Sequence, residues 1–169
     1  MERIYNCFGV DITGKLRVLQ NPAFQKGKLV DKAGVPVPAW TEPNEVVDGQ
    51  GFDKTNVEEN GSYKITVELP KGTKLCRYGA PGGRLTAPLG TPYELVGLPW
   101  VKETVEYHEY TVVADGVDVK CIVTKGIVRE MFDSPGGAIQ YLHPVSIEQE
   151  IISGRLAEDL SWLDRRTIK

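Results

Sequence analysis

Two arginines bracket a glycine-rich stretch, Arg77-Tyr78-Gly79-Ala80-Pro81-Gly82-Gly83-Arg84, near the middle of a 169-residue sequence. Glycine lets a backbone approach a ligand closely and accept positive φ. Arginine's planar fork matches phosphate oxygens, often through paired hydrogen bonds. The pyrophosphate of a dinucleotide fits that chemistry, and so does a plain β-turn with both arginines paired to surface carboxylates. A second stretch, Phe132-Asp133-Ser134-Pro135-Gly136-Gly137-Ala138-Ile139-Gln140-Tyr141, must turn sharply at Ser-Pro-Gly-Gly. The Gln140 amide offers donor and acceptor together, so it can fix a ribose hydroxyl, a carboxamide or a water. Phe132 and Tyr141 can stack on a planar ring. A hairpin with a solvated glutamine and core aromatics is the alternative. The third stretch is Tyr107-His108-Glu109-Tyr110, where a lone strand histidine is more often structural than catalytic.

The elements that position these stretches are mostly strands. Tyr63, Ile65, Val67 and Leu69 alternate with polar residues, the pattern of a half-buried strand. After the Lys71-Gly72 turn, Thr73–Tyr78 reads as a second strand. Thr104–Val113 reads as a third, with Val105, Tyr107, Glu109 and Thr111 on one face and His108, Tyr110 and Val112 on the other. Asp115-Gly116 is a hairpin signal ahead of a strand over Val117–Val123, and Ala138–Leu142 is a further strand. Ser146 and Gln149 form a capping box for one helix that Gly154 ends. Leu156, Leu160, Trp162 and Leu163 recur at a helical spacing in the tail. The expected fold is α+β, one mixed domain with a mainly antiparallel β core and one or two helices. Residues 1–60, broken by proline and glycine, read as a lead-in or linker packed on a domain spanning 61–169. Within it, Lys15–Leu19 is at most a short strand, and 36–51 is a long loop.

Composition excludes several classes. Hydrophobic residues make up 41% and charged residues 25%, ordinary for a soluble domain. The net charge of −3 opposes a nucleic-acid binder, which carries a basic face. No apolar stretch reaches the roughly 20 residues that span a bilayer. The start lacks a basic stretch followed by an apolar run, so no signal peptide is expected. Three cysteines without CxxC spacing and only two histidines argue against a disulfide framework and a zinc site, so no metal is expected.

Taken in order, these stretches resemble the tuberculosis necrotizing toxin (TNT) domain family. The family's arginine-aromatic-glycine start and following Gly-Arg match Arg77-Tyr78-Gly79 and Gly83-Arg84. Its proline-rich run and Leu-Pro match Ala87-Pro88-Leu89-Gly90-Thr91-Pro92-Tyr93 and Leu98-Pro99. Its Tyr-His-x-Tyr strand, glycine-rich Gln-Tyr motif and Gly-x-Leu helix end match Tyr107–Tyr110, Pro135–Tyr141 and Gly154-Arg155-Leu156. The resemblance covers about half of the chain. Departures are Val96-Gly97 where an arginine usually precedes Leu-Pro, Ala138 for the third glycine, and Glu130-Met131 before Phe132.

The resemblance implies a secreted NAD(P)⁺ glycohydrolase that acts in the target-cell cytoplasm. Such enzymes include type VI secretion effectors, and a cognate immunity protein neutralises the bacterial ones. The dinucleotide is then the substrate, and no cofactor is needed. Arg77, Gln140 and His108 become the catalytic set. Arg77 clamps pyrophosphate with help from Arg84, Gln140 holds the ribose or attacking water, and His108 orients phosphate or ribose. Tyr78, Gly79, Gly83, Arg84, Phe132, Ser134, Gly136, Gly137 and Tyr141 become substrate-binding. Two other readings compete. Glu148-Gln149-Glu150 is an ExE triplet, as in ADP-ribosyltransferases, although there it opens a strand. A non-enzymatic binding module is the other.

Overall fold

In a computed structural model of the chain, residues 3–13, 52–53, 55, 57, 61–98, 102–129 and 135–167 are described. Seven strands run β1 (Lys64–Leu69), β2 (Lys74–Tyr78), β3 (Leu85–Pro88), β4 (Tyr107–Val112), β5 (Cys121–Ile127), β6 (Ile139–Leu142) and β7 (Leu156–Asp159). Two short helices, α1 (Ile147–Ile152) and α2 (Ser161–Thr167), flank β7. The strands form one sheet in the order β1-β5-β6-β3-β2-β4-β7, with every pair antiparallel. The α+β class with an antiparallel core is therefore as the sequence predicts.

Each face of the sheet has its own core, because paired residues share a face and successive residues alternate. Leu69, Leu75, Tyr110, Val123 and Leu156 lie on one face, sealed by Ile147 of α1. Cys76, Ala87 and Tyr107 lie on the other, under Trp162 of α2 and Cys7 from the first residues. All three cysteines are buried, and none is in a disulfide. The segment 3–13 is held by Asn6, whose side-chain oxygen accepts from the Phe8 and Val10 amides at 3.0 Å. Phe52 bridges to Val128, and the Asp53 amide donates to the Ile127 carbonyl. The expected strand at Lys15–Leu19 and the loop at 36–51 lie outside the described residues.

Three boundaries differ from the pattern reading. The hairpin after β4 opens into a turn in which Asp115 Oδ1 accepts from the amides of Val117, Asp118 and Val119. β5 therefore starts at Cys121 rather than Val117. The tail divides, with Leu156–Asp159 as a strand on β4 and the helix starting only at Ser161. Backbone pairing along the β4 edge outweighs the helical spacing of Leu156 and Leu160. β3 went unrecognised because four residues between two turn signals carry no period. The Ser146 cap forms, its hydroxyl accepting from the Gln149 amide at 3.1 Å. The reciprocal half of the box does not, because the Gln149 amide reaches forward to Ser153.

One buried carboxylate joins these elements. Glu150 of α1 is inaccessible to solvent. Its Oε2 accepts from His143 Nδ1 at 2.7 Å and from the Cys121 thiol at 3.8 Å, and Oε1 accepts from Arg155 Nε. The far nitrogen of His143 meets Thr86 Oγ1 of β3 at 2.8 Å. Burial alone would raise the Glu150 pKa, but the bonds from His143 and Arg155 outweigh it and hold the group below its ordinary value. Removing one member of a buried ionic cluster strands the others and costs about 3–5 kcal/mol. Glu150→Gln should lower stability by that order, read as a reduced denaturant midpoint at unchanged slope.

Candidate active site

Arg77 is the penultimate residue of β2, and its side chain folds back into the glycine loop that follows. Nε donates to the Ala80 carbonyl at 2.7 Å and Nη1 to the Leu85 carbonyl at 2.9 Å. The loop is wound tightly on the guanidinium, since a Cβ on Gly83 would lie 1.8 Å from Nη2 and one on Gly79, at φ 140°, 3.0 Å away. Burial holds the Arg77 pKa below the usual arginine value, while Tyr110 and Glu106 act to raise it. The third nitrogen, Nη2, makes no protein hydrogen bond among the described residues.

Arg77 and Gln140 border the same pocket, of about 390 Å³ counted to its open mouth. The other walls include Tyr78, Leu85, Thr86 and Ala87 from the sheet and Val96 and Leu98 from the following loop. Gln140 is buried on β6. Its cross-strand partner is Gly126, which leaves that face of the sheet to the Phe52 ring. Register places the Gln140 side chain on the face of Cys76 and Ala87, and Arg77 on the opposite face with Leu75. The guanidinium reaches the Leu85 carbonyl from the loop end of the strands. Tyr78 fixes the pocket's rim, with its hydroxyl donating to the Thr91 carbonyl at 2.9 Å and its ring 5.3 Å from that of Tyr93.

The remaining expected residues divide. Arg84 is exposed and donates through Nε to the His143 carbonyl at 2.9 Å. Its terminal nitrogens make no other protein bond among the described residues. Gly136, at φ 67°, sits against the backbone of Val128 and Arg129, and the Gly137 amide donates to Val128. This pair shapes the approach to β6 without lining the pocket. Tyr141 turns to the α1 face and packs on the core there, away from the Gln140 side. Phe132 and Ser134 lie outside the described residues.

His108 pairs with Arg77 across β4 and β2. Its Nδ1 lies 2.7 Å from Glu158 Oε2 and its Nε2 lies 2.5 Å from Glu106 Oε2. Burial would lower its pKa, but the two carboxylates prevail and push it up to about 9. Sequence reasoning missed both partners. The spacing from Glu106 to His108 carries a signal, as alternate residues on one strand face. Glu158 comes from β7, whose strand character the helical spacing concealed. Thr86, Val96, Leu98 and Val128 of the pocket wall were also missed.

The described residues bring Cys121, His143 and Glu150 within 4.8 Å of one another. Glu150's acceptors are already filled by three donors. Burial, then the Glu150 charge, push the Cys121 thiol up to about 12. The group is satisfied as a hydrogen-bonded cluster. Glu148-Gln149-Glu150 lies within α1, so the triplet does not open a strand.

Two outcomes follow from this geometry. Gly83→Ala should displace the Arg77 guanidinium, which overpacking makes costly by about 1–3 kcal/mol, and a thermal melt reads the loss. The raised His108 pKa gives stability that is complete below its unfolded value of about 6.5 and lost as pH rises through about 9. The denaturant midpoint should fall across that window, and His108→Gln should flatten the fall.

A family model described as tuberculosis necrotizing toxin matches residues 68–158. A comparison with curated proteins yields no match. Among solved structures, the tuberculosis necrotizing toxin complexed with its immunity factor IFT is 18% identical. It covers 93% of this chain and 91% of its own, with a TM-score of 0.52. Tse6 in complex with Tsi6 is 22% identical over 83% of this chain and 91% of its own, with a TM-score of 0.43. The first shares the fold, and the family match spans every strand from β2 to β6 together with α1. With more than half of its length in that match, this chain belongs to the tuberculosis necrotizing toxin family.

Proposed function

We propose that the chain hydrolyses NAD⁺ or NADP⁺ at the nicotinamide–ribose bond, releasing nicotinamide and ADP-ribose or its 2′-phosphate. The observation that carries the reading is that Arg77 and Gln140, remote in sequence, border one pocket. Leu85, Ala87, Val96 and Leu98 give it an apolar wall suited to an uncharged nicotinamide.

The reaction itself asks for little acid assistance. Nicotinamide leaves as a neutral molecule from a cationic nucleotide, and the ribose carbon gains oxocarbenium character. Water adds to that carbon and loses a proton. Catalysis is then chiefly positioning and electrostatics. Arg77 offers Nη2 to the pyrophosphate, and the buried Tyr110 hydroxyl, which lacks a partner, feels the Arg77 charge. Arg84 has free terminal donors nearby on the same loop. Gln140 holds the ribose or the water. Among the described residues no carboxylate lines the pocket, so the paired-carboxylate route of glycosidases gains no support.

The tuberculosis necrotizing toxin, of similar fold, is solved in complex with its immunity factor. By extension, a cognate immunity protein neutralises this chain, and a secretion system delivers it to act in the target cytoplasm.

The test is a time course of NAD⁺ and NADP⁺ consumption with the products identified. Arg77→Ala and Gln140→Ala should each lower nicotinamide release by about 10²-fold or more, with circular dichroism unchanged. Wild-type rates in either folded variant would overturn the assignment. Label transferred from NAD⁺ onto protein would point to a transferase instead.

A further inference from the structure

We infer that His108 is a positioning residue, a standing imidazolium that occupies Glu106 and so keeps the Arg77 guanidinium available to the substrate. The inference rests on the reading that Arg77 contacts the dinucleotide.

Hydrogen-bond counting supports it first. A neutral imidazole has one N–H and one bare nitrogen, whereas ionised carboxylates only accept. His108 faces a carboxylate oxygen from each ring nitrogen, Glu158 at 2.7 Å and Glu106 at 2.5 Å. Both nitrogens must then donate, or a lone pair would stand against an anion. A ring so engaged has no nitrogen left to take a proton from water or to reach a ligand.

Charge balance supports it next. The ionisable groups facing His108 are Arg77 from β2, Glu106 just before β4, Tyr110 from β4, and Glu158 from β7. The Tyr110 ring stacks on His108 with centroids 5.9 Å apart. With His108 charged, two cations meet two carboxylates and the cluster is neutral. With His108 neutral, the carboxylates outnumber the cations. Glu106, almost fully buried at 9% side-chain exposure, is then left beside the Arg77 guanidinium, because Arg77 pairs with His108 two residues further along the same face and its charge already responds to Glu106. Capture of Nη2 by Glu106 would remove the donor that the pyrophosphate needs.

A single pair of variants separates this role from proton transfer. His108→Gln frees Glu106, so KM for the dinucleotide should rise about tenfold or more with a smaller change in kcat. Adding Glu106→Gln removes the competing carboxylate and should return KM most of the way toward wild type. A general base or a direct substrate contact predicts no such rescue, and its absence in a folded double variant would overturn the inference. Nitrogen NMR of His108 in the wild-type chain gives a readout independent of turnover and of variant folding. Two protonated ring nitrogens at neutral pH are expected, and one bare nitrogen would overturn the inference. If the wild-type chain consumes neither dinucleotide, the proposed function falls, while the NMR result still decides the state of His108.

Discussion

Glu150 accepts from His143, Arg155 and Cys121 in the interior of the domain, and the arrangement of the site depends on that cluster. An ionised carboxylate inside a protein is costly unless its lone pairs are filled. Filling them here fixes the end of β6, the start of β5, helix α1 and the entry to β7 against one another. His143 carries the constraint onward, since its ring meets Thr86 and its backbone amide donates to the Arg84 carbonyl. β3 is held in place by this chain of bonds. With β3 fixed, β2 and β6 take up positions on either side of it, and Arg77 and Gln140 come to border one space.

The glycine loop shows a related economy. Two of the Arg77 nitrogens close the loop that contains the residue, and the third lies against Gly79 and Gly83 of the same loop. Gly79 and Gly83 matter less for flexibility than for the room that the guanidinium occupies. Glycines in such a stretch suit close approach to a ligand's phosphates, but here both pack against the arginine itself. That difference makes the loop a preformed part of the site rather than a cover that must close.

How much could be read beforehand varied with the physics of each element. β1 alternates, with one face on a core, whereas β2 and β4 are buried on both faces, and the existence of all three was legible. So was α1, because Ser146 caps it. β3 was illegible, being too short for a period, and β7 was hidden by leucines whose spacing also suits a helix. Arg77, Gln140 and Arg84 stood out because unusual residue types cluster with glycine. Glu106, Glu158 and Thr86 did not, and Glu150 did so only as part of an ExE triplet, since ordinary polar residues acquire their roles from partners supplied by distant segments. Periodicity records burial well but says nothing about who is opposite whom.

β3 pairs with each neighbour through only two residues, Leu75↔Pro88 and Cys76↔Ala87 on one side and Leu85↔Leu142 and Thr86↔Tyr141 on the other. This narrow waist joins a β1-β5-β6 half to a β2-β4-β7 half, and Thr86 and Ala87 at its centre also form the pocket floor. Cohesion between the halves and the shape of the binding surface are thus written in the same few side chains. A substitution that reshapes the pocket at Thr86 or Ala87 therefore loosens the seam between the halves at the same stroke.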